Sequence, residues 1–182
     1  MKPPTDRICL VIPYYEAGED LVESLESVRL GRADLIVVVD DGSRRRPARG
    51  LVPPTVGDTP VRLVEMARNG GITAALRAGI AAVPADFALI ARLDCGDTCR
   101  PTRFTAQREL LAARPGVVLV GSWVDFVSPD GAFLYRLEQP VDPAAVRRRM
   151  RVNCAITHPA AMFRREELNR SEERRVGKEC RS

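Results

Sequence analysis

The stretch ADLIVVVDDGS, residues 33–43, sets five consecutive aliphatic side chains before two carboxylates, a glycine and a hydroxyl. An apolar run of strand length without polar alternation reads as a strand covered on both faces, which is the usual state of a parallel strand lying between layers of helices. RICLVIP, residues 7–13, has the same character and reads as the first strand. Between the two, EDLVESLESVRL places Leu21, Val22, Leu25, Val28 and Leu30 at mostly helical spacing, with acids in its first turn and arginine in its last, and Gly31 ends it. Strand, helix and strand in that order make one parallel crossover unit.

The pattern continues downstream. RRRPARGLVPPTVGDTP, residues 44–60, is a polar loop rich in Pro and Gly, and VRLVEM, residues 61–66, is a short third strand. GGITAALRAGIAAV is helical after a double glycine, and DFALIARLD is the fourth long strand. Pro101 suits the first turn of a helix over TRFTAQRELLAAR, which stops near Pro115 and Gly116. VVLVGSWVDFV and AFLYRLEQ flank the turn SPDG as a strand and its hairpin partner; DPAAVRRRMRV is helical, and THPAAMFRR is a last strand. The alternation predicts an α/β fold, a mostly parallel sheet with helices on both faces. Ligands of such sheets sit at the carboxyl ends of strands, near a topological switch point. The residues after the first, second and fourth strands are therefore expected to converge on one rim.

At 182 residues and 45% hydrophobic content the chain suits one domain with a sizeable core. No run approaches the roughly 18 apolar residues of a membrane-spanning helix. MKPPTDR followed by ICLVIP lacks a signal-peptide pattern, and five cysteines without regular spacing fit a reducing compartment, so a soluble, cytoplasmic protein is expected. Of the net charge of +4, the last thirteen residues supply half, with five basic and three acidic groups. The arginine clusters SRRRPAR and VRRRMR read either as solvated faces or as contacts to phosphates, and no nucleic-acid partner is expected.

Several groups carry chemistry. In VVVDDGS, Asp40 and Asp41 serve either as turn residues or as acceptors for a polar ring edge or a sugar hydroxyl, with tyrosine at the end of the first strand as a stacking face. In LDCGD, Asp94 and Asp97 are oxygen ligands suited to Mg2+ or Mn2+ shared with a diphosphate, while Asp97 also suits a helix cap. A rival zinc set is Cys95, Cys99, Cys154 and His158, against which stand the loose spacing and the habit of free cysteines to act as small buried hydrophobes. His158, the sole histidine, is either a hydrogen-bonded structural residue or part of the rim. Asn69–Gly71, NGG, is a helix-entry turn or a point of close approach to a ligand. No GxGxxG, P-loop or GxSxG motif occurs, which removes the usual support for dinucleotide, NTPase and hydrolase readings.

In order along the chain, VIPYYEAG, IVVVDDGS, NGGITAALRAGI, ARLDCGDTCRPTRFTAQ, VGSWVDF and THPAAMFRR resemble the nucleotide-sugar-binding domain of family 2 glycosyltransferases, inverting enzymes of the Rossmann-like GT-A fold. The resemblance covers residues 7 to 168. It implies transfer of a sugar from a nucleotide-diphosphate donor to a glycan or lipid-linked acceptor in cell-surface polysaccharide synthesis. Pro13, Tyr15 and Glu16 match the loop around the base, and Asp41 matches the carboxylate that bonds it, with Asp40 in support. Asp94 matches the opening acid of the metal motif and Arg92 an arginine seen just upstream in one subgroup; His158 falls in the substrate rim. The family's next acid is Gly96 here, so either Asp97 takes over as the second ligand of the divalent cation after a small shift of the turn, which is the expectation, or Asp94 works alone and binding weakens. The setting implied is the cytoplasm, with peripheral association of the full-length protein at the inner face of the membrane.

Residues 170–182, RSEERRVGKECRS, lack apolar periodicity and resemble the translation of a sequencing-adapter oligonucleotide. The expected organisation is one truncated domain over residues 1–169 and a non-native, disordered tail over 170–182. The family's general base, an Asp or Glu in an acidic motif beyond the histidine segment, is then expected to be absent: Glu166 and Glu167 lie too early, and Glu172 and Glu173 fall in the tail. Two other readings stand beside this one. One is a non-catalytic nucleotide-binding module with a decayed metal motif, for which Gly96 speaks. The other is a sugar-phosphate nucleotidyltransferase, which expects a basic glycine-rich loop where this chain has the acidic YYEAGED.

Overall fold

The computed structural model describes residues 7–167. The tail over 170–182 and the boundary at 169 lie outside the described residues.

β1 (Ile8–Tyr14) and β2 (Leu35–Asp40) are buried along their whole length and pair in parallel, Cys9 opposite Leu35 through Tyr14 opposite Asp40. Their side chains divide by the two-residue period of a strand between two cores. Ile8, Leu10, Ile12 and Tyr14 join Ile36 and Val38 against Leu21, Leu25, Phe104 and Leu111, from α1 (Asp20–Ser27) and α3 (Arg103–Ala113). Cys9 and Val11 join Leu35, Val37 and Val39 against Ala75 and Val83, in and just after α2 (Ile72–Ala81). Helices therefore cover both faces, as the uninterrupted apolar runs predict.

Further along the chain come β3 (Thr55–Val56), β4 (Thr59–Glu65), β5 (Leu89–Arg92), β6 (Leu119–Val120), β7 (Val124–Val127), β8 (Phe133–Leu137), α4 (Pro143–Arg149) and β9 (Met162–Arg164). The main sheet has the order β3-β4-β2-β1-β5-β9-β6, with β4, β2, β1 and β5 mutually parallel and β3 and β9 antiparallel to their neighbours. From β1 the chain moves outward to β2 and β4, then returns through α2 to the other side of β1 as β5. The topological switch point thus lies between β1 and β5, where a crevice opens at the carboxyl ends.

Local differences from the sequence reading have identifiable causes. α1 ends at Ser27, short of Gly31, leaving Arg29 beyond its last turn. Gly31 has a packing role instead: a Cβ there would stand 2.8 Å from the Phe104 ring. Residues 117–127 do not form one strand, because β6 stays in the main sheet while β7 leaves it to pair with β8 as a separate hairpin. The loop over 44–60 contains a 3-10 turn at Ala48–Gly50 and the short β3. His158–Ala160 is likewise a 3-10 turn that precedes β9. Among the described residues no helix is long and apolar enough to cross a membrane.

Candidate functional site

The first corner of the rim is built where β1 and β2 end side by side. Asp41 N donates to the Tyr14 carbonyl at 2.9 Å, continuing the strand pairing one step beyond the sheet. Asp40 is buried and its carboxylate faces back into the loop, accepting from Ser43 N and Ala48 N, each at 2.8 Å. The Asp41 carboxylate, equally buried, accepts from Gly70 N and Gly71 N, also at 2.8 Å each. Glu16, with φ of 53°, receives the backbone N–H groups of Arg44, Arg45 and Arg46 at 2.8, 3.1 and 2.8 Å, while its own N–H donates to Ser43 Oγ at 2.9 Å. These amides, Arg44 and Arg45 foremost, hold the Glu16 carboxyl below its ordinary pKa.

Tyr14 locks the corner from below: its hydroxyl donates to the Arg46 carbonyl and accepts from Gly18 N, and burial raises its pKa. Gly42, at φ of +72°, would place a Cβ 2.5 Å from the Arg68 backbone, so only glycine lets the two loops touch. Three acids of the sequence motifs thus fasten the loops after β1, β2 and β4 to one another. The product is a cleft of about 430 Å³ lined by Tyr15, Glu16, Gly42, Arg44, Arg45 and Asn69, with the Tyr15 ring exposed at its edge. Pro13 does not reach it, being buried in β1 opposite Val39.

The second corner follows β5. The Arg92 guanidinium grips Asp94 with both arms, Nε to Oδ1 at 2.7 Å and Nη2 to Oδ2 at 2.8 Å, and the side chains are 16% and 27% exposed. Asp97 N donates to the Asp94 carbonyl at 3.0 Å, closing a turn in which Gly96 has φ of +92°. That angle matches the third position of a type II turn, which a β-carbon disfavours, so the glycine standing where the family has an acid is required by the backbone found here. Asp97 lies at the surface of the turn; desolvation by its neighbours and then the charge of Asp94 raise its pKa, against Arg103 and Arg92, which lower it. Two acids that repel each other on one turn, each with oxygen lone pairs left, suit a hard divalent cation that completes its shell with diphosphate oxygens and water.

This turn is clipped to α1 by serines that sequence reasoning passed over. Ser24 Oγ accepts from Gly96 N at 2.9 Å and Ser27 Oγ from Cys99 N at 3.1 Å. Their signal is a pair of hydroxyls three residues apart, beside Leu21, Leu25 and Val28 on the apolar side of a helix. Arg103 and Gln107 were also missed. Arg103 Nη2 donates to the Arg92 carbonyl at 2.7 Å, and Gln107 Nε2 to the Ala160 carbonyl at 2.8 Å, so α3 ties β5 to the segment before β9. Their signal is polar residues at core spacing with Phe104 and Leu111.

A second cleft of about 460 Å³ begins at Arg92 and Asp94 and is walled by Gln139, Arg149, Thr157 and His158 among others. Gln139 Oε1 is buried without a hydrogen-bond partner, an acceptor facing this region. The zinc set does not assemble. His158 Nε2 and Cys154 Sγ stand 3.5 Å apart, but Cys95 and Cys99 pack against the core, where burial pushes the Cys95 thiol up to about 11. No group of three or more His, Cys, Asp or Glu able to hold a metal occurs among the described residues.

Comparison with known proteins bears on the family and the fold. The chain is 29% identical over 156 residues to the amylovoran biosynthesis glycosyltransferase AmsE of Erwinia amylovora, covering 84% of this chain and 57% of that one. It is 33% identical over 160 residues to the succinoglycan biosynthesis protein ExoO of Rhizobium meliloti, covering 80% and 44%. The chain thus spans about half the length of these relatives. Among solved structures, the mannosyltransferase PcManGT from Pyrobaculum calidifontis, in complex with GDP-Man and Mn2+, superposes with a TM-score of 0.61 at 21% identity, covering 92% of this chain and 47% of that one. Residues 1–349 of S. aureus TarS give 0.62 at 13% identity, covering 91% and 49%, and both likenesses bear on the fold alone. The pattern of glycosyl transferase family 2 matches residues 9–171, nearly the whole of the described chain, and the protein therefore belongs to that family.

Proposed function

We propose that this domain binds a nucleotide-diphosphate sugar along the rim between the two clefts and that the whole protein transfers the sugar, with inversion, to an acceptor hydroxyl of a glycan or lipid-linked chain. The names of AmsE and ExoO support polysaccharide synthesis as the setting. The observation that carries the reading is the convergence at the switch point. The Tyr15 cleft, the level ends of β1 and β2, and Asp94 after β5 follow one another along one edge, and Asp94 opens the second cleft.

In this reading Tyr15 offers its face to the base. Asp41 accepts from the base edge with its remaining lone pairs and holds the Asn69 wall in place. Asp40 and Glu16 act as positioning residues for the arginine loop. Asp94 and Asp97 hold Mg2+ or Mn2+, with Arg92 sharing Asp94; when bound, the cation neutralises charge on the departing diphosphate. Gln139 and His158 face the sugar in the second cleft. Inverting transfer also needs an Asp or Glu to take the acceptor's proton. Glu166 and Glu167 lie too early in the sequence to match the acidic motif that supplies this base, so the 182-residue chain is expected to bind donor and turn it over poorly or not at all. The whole protein works in the cytoplasm, associated peripherally with the inner face of the membrane.

Calorimetric titration of UDP and GDP, with and without Mn2+, tests this. Binding that Mn2+ strengthens, and that loses this dependence in Asp97→Ala, is expected; failure of both nucleotides to bind refutes the reading, and unaltered metal dependence in Asp97→Ala removes it as a ligand. The bidentate grip of Arg92 on Asp94 favours a second reading, a non-catalytic nucleotide-binding module. Nucleotide binding indifferent to Mn2+ in the unsubstituted protein would support that one.

A further inference from the structure

The segment from Val141 to Cys154 contrasts with the rest of the surface. It holds four arginines against one acid, Asp142, whereas the remaining described residues carry 18 basic and 19 acidic side chains, so the positive excess sits here. Several exposed arginines elsewhere have acidic partners: Arg49 pairs with Glu65, Arg29 with Glu26, and Arg100 and Arg136 share Asp125, while the exposed Arg44, Arg45 and Arg46 belong to the loop that Glu16 fastens at the first cleft. Among the described residues Arg147, Arg148 and Arg151 are exposed and form no ion pair, and the Asp142 carboxylate is occupied as the cap of α4, accepting from Ala145 N at 2.8 Å.

Apolar side chains interleave with these cations and are left in water. Val141 is 81%, Met150 52% and Val152 87% exposed. A solvated cationic face has no use for such residues, and nucleic acid favours aromatic stacking over aliphatic side chains at a basic patch. An anionic lipid surface takes both kinds, arginines at the headgroups and aliphatic side chains at the acyl boundary. The patch also adjoins the second cleft, whose wall includes Arg149 and Gln139. The Gln139 carbonyl accepts from Trp123 Nε1 at 3.0 Å, so a half-exposed indole with an apolar body and a polar edge lies beside it. Such a ring is typical of residues at a membrane interface.

We propose that Val141 to Val152, centred on α4, is a docking surface for an anionic phospholipid membrane, which would bring the mouth of the second cleft to the bilayer. The assignment rests on the membrane association proposed above and names the surface responsible. It is tested by co-sedimentation of the 182-residue chain with vesicles of phosphatidylcholine alone or with about one third phosphatidylglycerol. Expected are binding to the anionic vesicles only, loss of binding as salt rises, and a blue shift of the emission of Trp123, the sole tryptophan. The combined variant Arg147→Glu, Arg148→Glu, Arg151→Glu should weaken binding by about 100-fold, and Val152→Ser should weaken it at unchanged charge. Nucleotide titration checks that each variant is folded.

Anionic-vesicle binding that survives the triple substitution overturns this surface and leaves membrane association standing. Absence of vesicle binding by a chain that still binds nucleotide overturns both. Equal binding to phosphatidylcholine alone, tighter binding to a single-stranded RNA oligomer, or self-association abolished by the same substitutions each overturns the assignment as well.

Discussion

Replacing Asp41 with asparagine should loosen the site more than it should alter the ligand's direct contacts. The buried carboxylate ties the end of β2 to the Gly70 and Gly71 amides through two bonds of 2.8 Å. Asparagine keeps the shape but turns one acceptor into a donor, which then faces a backbone N–H. One charge-assisted bond is lost, worth about 1.5–3 kcal/mol, and an amide is left without an acceptor at about 1–3 kcal/mol. Some relief comes from loop movement, so a net loss of about 2–4 kcal/mol is expected. With a urea dependence of about 2 kcal/mol per molar, the unfolding midpoint should fall by roughly 1–2 M. Far-UV circular dichroism measures the midpoint, and hydrogen exchange at Gly70 and Gly71 reports the loop. Nucleotide affinity should fall with it, because Asn69 walls the cleft. A midpoint within about 0.25 M of the parent, with unchanged exchange at the two glycines but weakened nucleotide binding, would refute this reasoning and make Asp41 a ligand contact alone.

Two other outcomes follow from packing and charge. Gly79→Ala should destabilise although alanine is the better helix former by about 1 kcal/mol, because its Cβ would lie 2.6 Å from Val11 Cγ1 and 2.8 Å from Val39 Cγ2; overpacking of this kind costs about 1–3 kcal/mol, and a raised urea midpoint would contradict it. Asp125 on β7 has its carboxyl lowered to about 2, first by the hydrogen bond from Arg136 and then by that from Arg100. A depressed folded-state pKa stabilises fully above the free carboxyl value near 3.9 and loses that contribution as pH falls toward 2. The tie from Asp125 to Arg100, in the loop before α3, should therefore weaken in that window, seen as a change in Trp123 emission that Asp125→Asn transfers to neutral pH; a flat emission profile from pH 5 to about 2 speaks against it.

Much of the site was legible because its parts sit where strand periodicity breaks. ICLVIP and LIVVVD could be read as doubly covered strands, since every residue in them is apolar until the carboxyl end, and a parallel arrangement then obliges Tyr15, Glu16, Asp41 and Asp94 to share an edge. Alternating strands and helices likewise gave the layers, because a strand buried on both faces needs helices on both. What the chain could not express locally is which partner each polar group takes. Asp40 and Glu16 look like ligand contacts in sequence, yet in the fold their carboxylates close loops, because amides from residues 43–48 arrive beside them. Gly96 reads as a lost acid until its φ of +92° reveals a turn that a side chain would strain. Ser24 and Ser27 are unremarked helix residues until the turn after β5, some seventy positions later, lands on their hydroxyls. Periodicity and turn chemistry are local properties and survive in one dimension, whereas hydrogen-bond partners distant in the chain exist only once the sheet has set its order.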